Sequence, residues 1–324
     1  MKAIVQDRYG SADVLELRDI RKPSPGPDEV LVQVRAAGLD PGVWHLMTGR
    51  PYLVRCMGFG FMTPKVGVRG RDVAGTVEAV GSEVTDLKPG DDVFGIAEGS
   101  FAEYCVGKAE RFAPKPRSLS FEQAAVVPIS GASALNALRD AGRLEPGQRV
   151  LVIGAGGGVG CFAVQLAKAF GANVTGVCSS SKLDLVRSLG ADDAIDYTAV
   201  DFTDGPPDFD LIVDTAGRRP ISRLRQRLSE RGTLVLVGGE GGGAWLGGFE
   251  RNLLAPLRSV GSRQRLVGLM FEERREDLLT LKELIDRNRL QPVIDRVYPL
   301  AQAADAVRYL EAGHARGKVV VTVC

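Results

Sequence analysis

Two hydrophobic periodicities divide the chain. Over the first 125 residues the apolar positions fall in short runs rich in β-branched residues: MKAIVQ, VLELRDI, EVLVQVRAAG, AGTVEAVG and DDVFGI. PSPGPDE and LKPGD separate them as turns. Such runs predict strands, and together a small barrel-like domain. Residues 50–68 are glycine-rich and irregular and predict a loop. Near residue 121 the spacing becomes helical: FEQAAVVPISGASALNALRDAG predicts one or two helices around Pro128.

Strands and helices then alternate. RVLVIGA is an unbroken apolar run, as expected of a parallel strand buried on both faces. VGCFAVQLAKAFG predicts a helix ended by Gly171. NVTGVC, SKLDLVRSLG, DLIVDTAG and TLVLVGG supply the next strand, a helix and two further strands. This βαβαβ order predicts an α/β fold with a Rossmann-type, doubly wound parallel sheet. Residues 240–265 form a long glycine-containing connection. EDLLTLKELIDRN is helical, with Leu278, Leu281, Leu284 and Ile285 on one face, and the tail from Gln291 reads strand, helix, strand.

Length and composition narrow the picture. A chain of 324 residues suggests two domains. Charged residues are 25% and hydrophobic residues 44%, the balance of a soluble globular protein. A net charge of +1 gives no strong field toward nucleic acid or anionic lipid. The opening MKAIVQDRYG has no apolar stretch of signal-peptide length, and no run has the roughly 18–20 apolar residues needed to span a bilayer. Five scattered cysteines argue against a disulfide framework, so a cytoplasmic, reduced protein is expected.

The candidate chemistry begins at GAGGGVG, Gly154–Gly160. Glycine is required where the backbone turns tightly and approaches a pyrophosphate. A helix beginning near Val159 presents unpaired N–H groups to that phosphate. The motif follows a buried strand and opens a helix inside a βαβ unit, the context of a dinucleotide site. Gly156, Gly157, Gly158, Val159 and Gly160 are the expected contacts. NAD-specific sites place an acid about 20 residues further on. Here that stretch reads Cys178-Ser179-Ser180-Ser181-Lys182, with no carboxylate until Asp184. Ser179, Ser180 and Lys182 suit a 2′-phosphate, so NADP (NADPH) is expected; the same residues also read as a helix cap with a solvated lysine.

The whole chain resembles the medium-chain dehydrogenase/reductase superfamily. The resemblance is densest at AAGLDPGVW, GRDVAGTVEAVGSEVTDLKPGDDVFG and RVLVIGAGGGVGCFAVQLAKAFGANVTGV, and resumes at VIDRVYPLAQAADAVRYLEAGHARGKVVV. It is closest to the zinc-free, quinone oxidoreductase-like branch. The resemblance implies a discontinuous, β-rich GroES-like catalytic domain at 1–125 and 289–324, with an NAD(P)-binding Rossmann domain at 126–288. At the positions where zinc-dependent relatives carry metal ligands this sequence has Asp40, Arg71-Asp72 and the Ser130–Gly131 region. No set of about three His, Cys or acid ligands is evident, so no metal is expected.

Resemblance places Asp40, His45 and Tyr52 around the nicotinamide end. A histidine or tyrosine there donates a hydrogen bond to a developing oxyanion. Each also has a structural reading: Asp40 as a cap before Pro-Gly, His45 as a loop-filling polar residue, Tyr52 as a packing aromatic. Resemblance adds cofactor contacts at Ser133, Tyr197, Thr215, Ala216, Gly238, Gly239 and Lys318. Lys318 reads equally as a solvated strand-start charge, and Arg71 and Asp72 as a mutual pair. The function implied is zinc-independent, NADPH-dependent hydride transfer to a quinone or α,β-unsaturated carbonyl. The alternatives are an NAD(P)-dependent alcohol/aldehyde dehydrogenase of the same superfamily and a dinucleotide-binding protein without turnover. The expected partners are a small carbonyl substrate and a second copy of the chain, joined through the strand near RLVGLMF.

Overall fold

The computed structural model describes residues 1–238, 243, 245–259 and 261–323, apart from the side chain of Phe249. The strands are β1 (Lys2–Val5), β2 (Glu16–Asp19), β3 (Glu29–Leu39), β4 (Asp72–Val80), β5 (Asp92–Ile96), β6 (Tyr104–Lys108), β7 (Phe112–Pro114), β8 (Arg149–Ile153), β9 (Asn173–Cys178), β10 (Asp193–Asp196), β11 (Phe209–Asp214), β12 (Leu228–Leu236), β13 (Arg265–Gly268), β14 (Ile294–Pro299) and β15 (Lys318–Thr322). The helices are α1 (Pro41–Thr48), α2 (Tyr52–Val54), α3 (Phe121–Ala125), α4 (Pro128–Asn136), α5 (Gly158–Ala169), α6 (Leu183–Ser188), α7 (Ile221–Arg225), α8 (Phe249–Leu254), α9 (Arg275–Asp286) and α10 (Ala303–Glu311).

The chain forms two compact units. One comprises Met1–Ala132, Glu273–Asn288 and Pro292–Cys324; the other comprises Ser133–Glu272 and Arg289–Gln291. The first boundary thus falls inside α4 rather than at residue 125, and α9 joins the first unit rather than the nucleotide-binding one. Packing explains this: Leu278, Leu281 and Ile285 are buried, and Leu281 lies so close to Gly131 that a Cβ there would be 3.0 Å from its Cδ1. Leu284 is only half-buried, so the apolar stripe of α9 is narrower than its sequence suggests.

The first unit is built on a seven-stranded sheet. Its order is β14-β15-β3-β4-β5-β7, with β6 also paired to β3. The eleven-residue β3 is the backbone of this sheet, pairing antiparallel with β15, β4 and β6 along its length. Its Val30, Val32 and Val34 share a core with Val73, Val77, Val319 and Val321. The short α3 starts at Ser120, whose hydroxyl accepts from Gln123 N while the Gln123 side chain accepts from Ser120 N. Residues 50–68 are not all loop: α2 is followed by a helical turn at Arg55–Phe59. The Arg55 guanidinium, over Tyr9 at 4.3 Å and Tyr52 at 4.9 Å, holds this segment.

The second unit is a six-stranded parallel sheet, β10-β9-β8-β11-β12-β13. Chain order reverses between β8 and β11, so the C-terminal ends of those strands form the switch point where open α/β sheets bind ligands. Strand β8 is buried from Val150 to Ile153, as its unbroken apolar run requires. The short strands β6, β7 and β10 escape the sequence pattern, because three to five residues show too little alternation to register. Among the described residues no helix is long and apolar enough to cross a membrane.

Candidate functional site

Strand β8 delivers the chain into the glycine loop. Gly154 has φ +81°, and a Cβ there would lie 2.5 Å from Thr215 Oγ1. Gly157 N donates to Gly154 O at 2.9 Å, and a Cβ on Gly160 would be 2.1 Å from that same carbonyl oxygen. The loop is therefore closed on itself, with no room for a side chain at Gly154 or Gly160. Gly157 is the N-cap of α5, with extended backbone at φ −98° and ψ −179°, and no side chain caps it. The first-turn N–H groups of α5, from Gly158, Val159 and Gly160, thus face outward as a ready anion site. A Cβ on Gly157 would meet only Gly154 O, at 3.3 Å. This is a cradle that fits a dinucleotide pyrophosphate.

Lys182 lies over this cradle. Its Cβ and Cδ would be 2.9 Å and 2.8 Å from a Cβ placed on Gly156, so the lysine stem packs on the glycine. It belongs to a single 3₁₀ turn, Ser180–Lys182, after β9. Ser179 and Ser181 hydroxyls sit 3.3 Å apart. Ser180 is engaged differently from the sequence expectation: its hydroxyl donates to Asp196 Oδ2 at 2.6 Å. Asp196 ends β10, in register with Cys178, so a carboxylate does stand beside the end of β9. Hydrogen bonds from Ser180 and Thr198 hold that carboxyl below its ordinary range. Sequence reading missed it because sheet pairing, not proximity along the chain, brings it there. Tyr197 follows, its N donating to Cys178 O at 3.1 Å and its side chain 46% exposed.

The ends of β11 and β12 complete this face. Thr215 Oγ1 donates to Ile153 O at 2.7 Å, so toward a ligand this hydroxyl can only accept. A Cβ on Gly238 would lie 2.4 Å from Thr215 O, which brings Gly154, Thr215 and Gly238 together. The buried Asp214 fixes the turn that carries Ala216, accepting from Ala216 N at 3.2 Å and Gly217 N at 2.9 Å. Ser133 is 7% exposed on α4. Gly239 lies outside the described residues.

In the first unit, Asp40 is the N-cap of α1. Its Oδ1 accepts from Gly42 N at 2.7 Å, while Oδ2 is buried with no partner among the described residues. A buried acceptor left unpaired costs roughly 1–3 kcal/mol, so this oxygen suits a donor on a bound molecule. His45 lies on α1 with Nδ1 2.8 Å from Arg50 O. A carbonyl only accepts, so Nδ1 carries a proton. Nε2 of neutral His45 is then an acceptor, and only the imidazolium can donate from it. Tyr52 is half-buried beside Arg55.

Two of the positions that resemblance links to metal ligands, Asp72 and Ser130, meet a cation of the chain itself. Lys318 Nζ sits 3.2 Å from Asp72 Oδ2 and donates to Ser130 Oγ at 3.0 Å, while Ile129 N donates to Asp72 Oδ1 at 2.8 Å. Burial pushes the Asp72 carboxyl up to about 6; the Lys318 ammonium pulls against this and the Asp40 charge adds to it. Two expectations are corrected here. Lys318 is 3% exposed and engaged with Asp72, not a solvated strand-start charge. Arg71 does not pair with Asp72: it donates to Glu98 at 2.8 Å and pairs with Glu273. Among the described residues no group of three or more His, Cys, Asp or Glu side chains could hold a metal ion.

Family models match two stretches of the chain. Residues 26–117 match the alcohol dehydrogenase GroES-like domain family, and residues 189–321 match a family described as zinc-binding dehydrogenase. A 2-methylene-furan-3-one reductase of Solanum lycopersicum is 35% identical over 336 residues, covering 99% of this chain and 79% of that protein. A chloroplastic NADPH-dependent alkenal/one oxidoreductase of Arabidopsis thaliana is 34% identical over 336 residues, with the same coverage of 99% and 79%. The solved structure of the quinone oxidoreductase from Coxiella burnetii superposes with a TM-score of 0.85 at 31% identity, covering 100% of this chain and 99% of that one.

Proposed function

The chain belongs to the medium-chain dehydrogenase/reductase superfamily, in its quinone oxidoreductase-like branch, and on that premise we propose that it is an NADPH-dependent, zinc-independent reductase of quinones or α,β-unsaturated carbonyls. One arrangement carries this: a glycine cradle closed on itself at Gly154 and Gly160, with a lysine stem packed over Gly156. The names of the relatives, which include an NADPH-dependent alkenal/one oxidoreductase, point the same way.

When bound, the dinucleotide supplies a hydride equivalent. The chain's own residues do the rest. Gly156–Gly160 with Val159 hold the pyrophosphate on the first turn of α5. Lys182 and Ser179 meet the 2′-phosphate against the opposing charge of Asp196, and Tyr197 offers its exposed ring to the adenine. Thr215, Ala216 and Gly238 line the nicotinamide end, where Thr215 accepts a hydrogen bond. Ser133 belongs to the same contact set. His45 is one candidate donor to the oxygen that gains charge, and Tyr52 is the competing donor. Asp40 caps α1 and offers Oδ2 to a donor of the bound pair.

Zinc independence rests on the donor set: an ammonium, Lys318, fills the acid-and-serine cluster at the ligand positions. A homodimer through β13 fits its place as an edge strand of the parallel sheet. A reducing cytoplasm fits the free Cys56, Cys105, Cys161 and Cys178. The decisive assay follows NADPH oxidation by chelator-dialysed protein over a panel of enones, quinones and simple aldehydes. Turnover of enones or quinones without added metal is expected. Turnover restricted to aldehydes, activity restored only by zinc, or binding without turnover would each overturn it. Light scattering that gives a mass near 34.6 kDa at all micromolar concentrations would exclude the dimer.

A further inference from the structure

The second unit contains a cavity of about 810 Å³ whose charged lining, among the described residues, is almost entirely arginine: Arg218, Arg219, Arg225, Arg251 and Arg258, against Glu250. It opens just beyond the C-terminal end of β11, directly after Thr215 and Ala216, on the edge where open α/β sheets take ligands. None of the glycine-loop residues or Lys182 lines it.

The arginines differ in what already holds them. Arg225 is fully tied, to Gln264 at 3.0 Å, Ser262 at 2.9 Å and Arg258 O at 3.3 Å. Arg219 rests over the Phe202 ring at 5.5 Å and is 3.8 Å from Asp201 Oδ1. Arg251 donates one amino group to Asp214 Oδ2 at 3.0 Å and to Arg219 O at 2.8 Å; its other terminal nitrogen, Nη1, is buried and has no partner among the described residues. Arg218 and Arg258 are exposed, with no side-chain partner among the described residues. Glu250 does little to offset them, since its Oε2 accepts from Gly248 N at 3.0 Å. Several guanidinium forks with unfilled donors around a concave site suit a phosphate, which accepts their bonds two at a time. The volume is that of an organic ligand site, and Ile221 and Pro220 supply apolar wall.

We propose that this arginine cavity is a binding site for a phosphorylated small molecule, separate from the dinucleotide cradle. Arg218 and Arg258 supply the free charge, and the orphaned Arg251 Nη1 is the buried donor that the phosphate satisfies.

The test uses the full chain, with inorganic phosphate and phenyl phosphate as probes and calorimetry as the readout. Both probes are expected to bind in the presence of saturating NADPH. Phenyl phosphate binding tighter than inorganic phosphate supports a phosphate-ester site, whereas inorganic phosphate binding as tightly or more tightly would overturn the assignment to a phosphorylated small molecule. The double variant Arg218→Gln/Arg258→Gln removes two exposed charges without touching the Asp214 pair. It should weaken probe binding at least tenfold, the loss expected for one charge-assisted contact, with its NADPH affinity unchanged. Arg251→Lys, which keeps a cation against Asp214 but removes the second fork nitrogen, should weaken it further. Competition between either probe and NADPH, or loss of probe binding in Lys182→Ala with none in the double variant, would place the phosphate in the cofactor cradle and overturn the proposal. So would the absence of measurable binding at millimolar probe.

Discussion

Lys318 Nζ reaches Asp72 Oδ2 at 3.2 Å across the strand that separates them, and both side chains are almost wholly buried, at 3% and 0% exposure. Lys318 begins β15 and Asp72 begins β4; β3 runs between. The residue of β3 opposite Asp72 is Gly38, which is also opposite Val320. Residues directly opposed share one face of a sheet, so Lys318, two residues before Val320, projects on the face of Asp72 with only a glycine between. A Cβ on Gly38 would be 2.9 Å from Asp72 Cβ and 2.4 Å from Ala125 O. The ion pair therefore depends on a missing side chain as much as on two charged ones.

Breaking this pair from one side leaves a buried charge. Asp72→Asn or Lys318→Met alone should each cost about 3–5 kcal/mol of unfolding free energy. The double variant should cost clearly less than the sum, with a coupling of roughly 1–3 kcal/mol in a double-mutant cycle by urea unfolding. Strict additivity would show that the two side chains do not act as a pair.

Asp72 also sets a pH dependence with a definite sign. Its carboxyl is raised by burial from 3.8 in the unfolded reference to about 6 in the folded chain. Between those values the folded chain holds a proton that the unfolded chain has released, so this group's contribution to stability falls as pH rises from about 4 to about 6. Comparing urea midpoints of the unmodified protein and Asp72→Asn across that window isolates the slope. An equal slope in both would assign it elsewhere.

The glycine loop offers two substitutions with different outcomes. Gly157→Ala keeps an allowed backbone and meets only one atom, at 3.3 Å. It should fold with a near-normal melting temperature and bind NADPH about tenfold or more weakly, since the methyl enters the pyrophosphate's space. Gly160→Ala places Cβ 2.1 Å from Gly154 O and should lose stability as well as binding. Thermal melts beside a fluorescence titration separate the two. Unchanged NADPH affinity in Gly157→Ala would remove the cradle from the cofactor site.

Two charges of opposite sign flank the end of β9. Lys182→Ala should raise the Michaelis constant for NADPH roughly ten- to hundredfold and leave that for NADH nearly as it is. Asp196→Asn removes the opposing carboxylate and should shift the ratio toward NADPH, with some loss of local order, because Ser180 and Thr198 both bond to it. Cofactor selectivity that is indifferent to both changes would remove this corner from the 2′-phosphate.

His45 and Tyr52 compete for the role of oxyanion donor. The one that acts mainly on the transition state should lose about 10²–10³ in kcat when changed to Phe, with NADPH affinity preserved. Normal turnover in His45→Phe would transfer the role to Tyr52 or to backbone N–H groups.

The order of elements in the second unit was legible from sequence because a buried parallel strand must be apolar throughout and a glycine loop before a helix has few other uses. RVLVIGAGGGVG thus announced β8, the cradle and α5 together. The catalytic-side candidates came from resemblance rather than from periodicity; of the two readings of Asp40, the cap before Pro-Gly is present in the fold. What escaped was decided by pairing between distant strands. Asp196 stands beside Cys178 because β10 docks in register on β9, not because of any spacing along the chain. Arg71 and Asp72 are neighbours in sequence, yet successive side chains at a strand start point to opposite faces, so one found Glu98 and the other Lys318. Local periodicity is written in the chain and fixes which segments are strands and helices. Which charges meet depends on sheet order and face, and only the folded sheet supplies those.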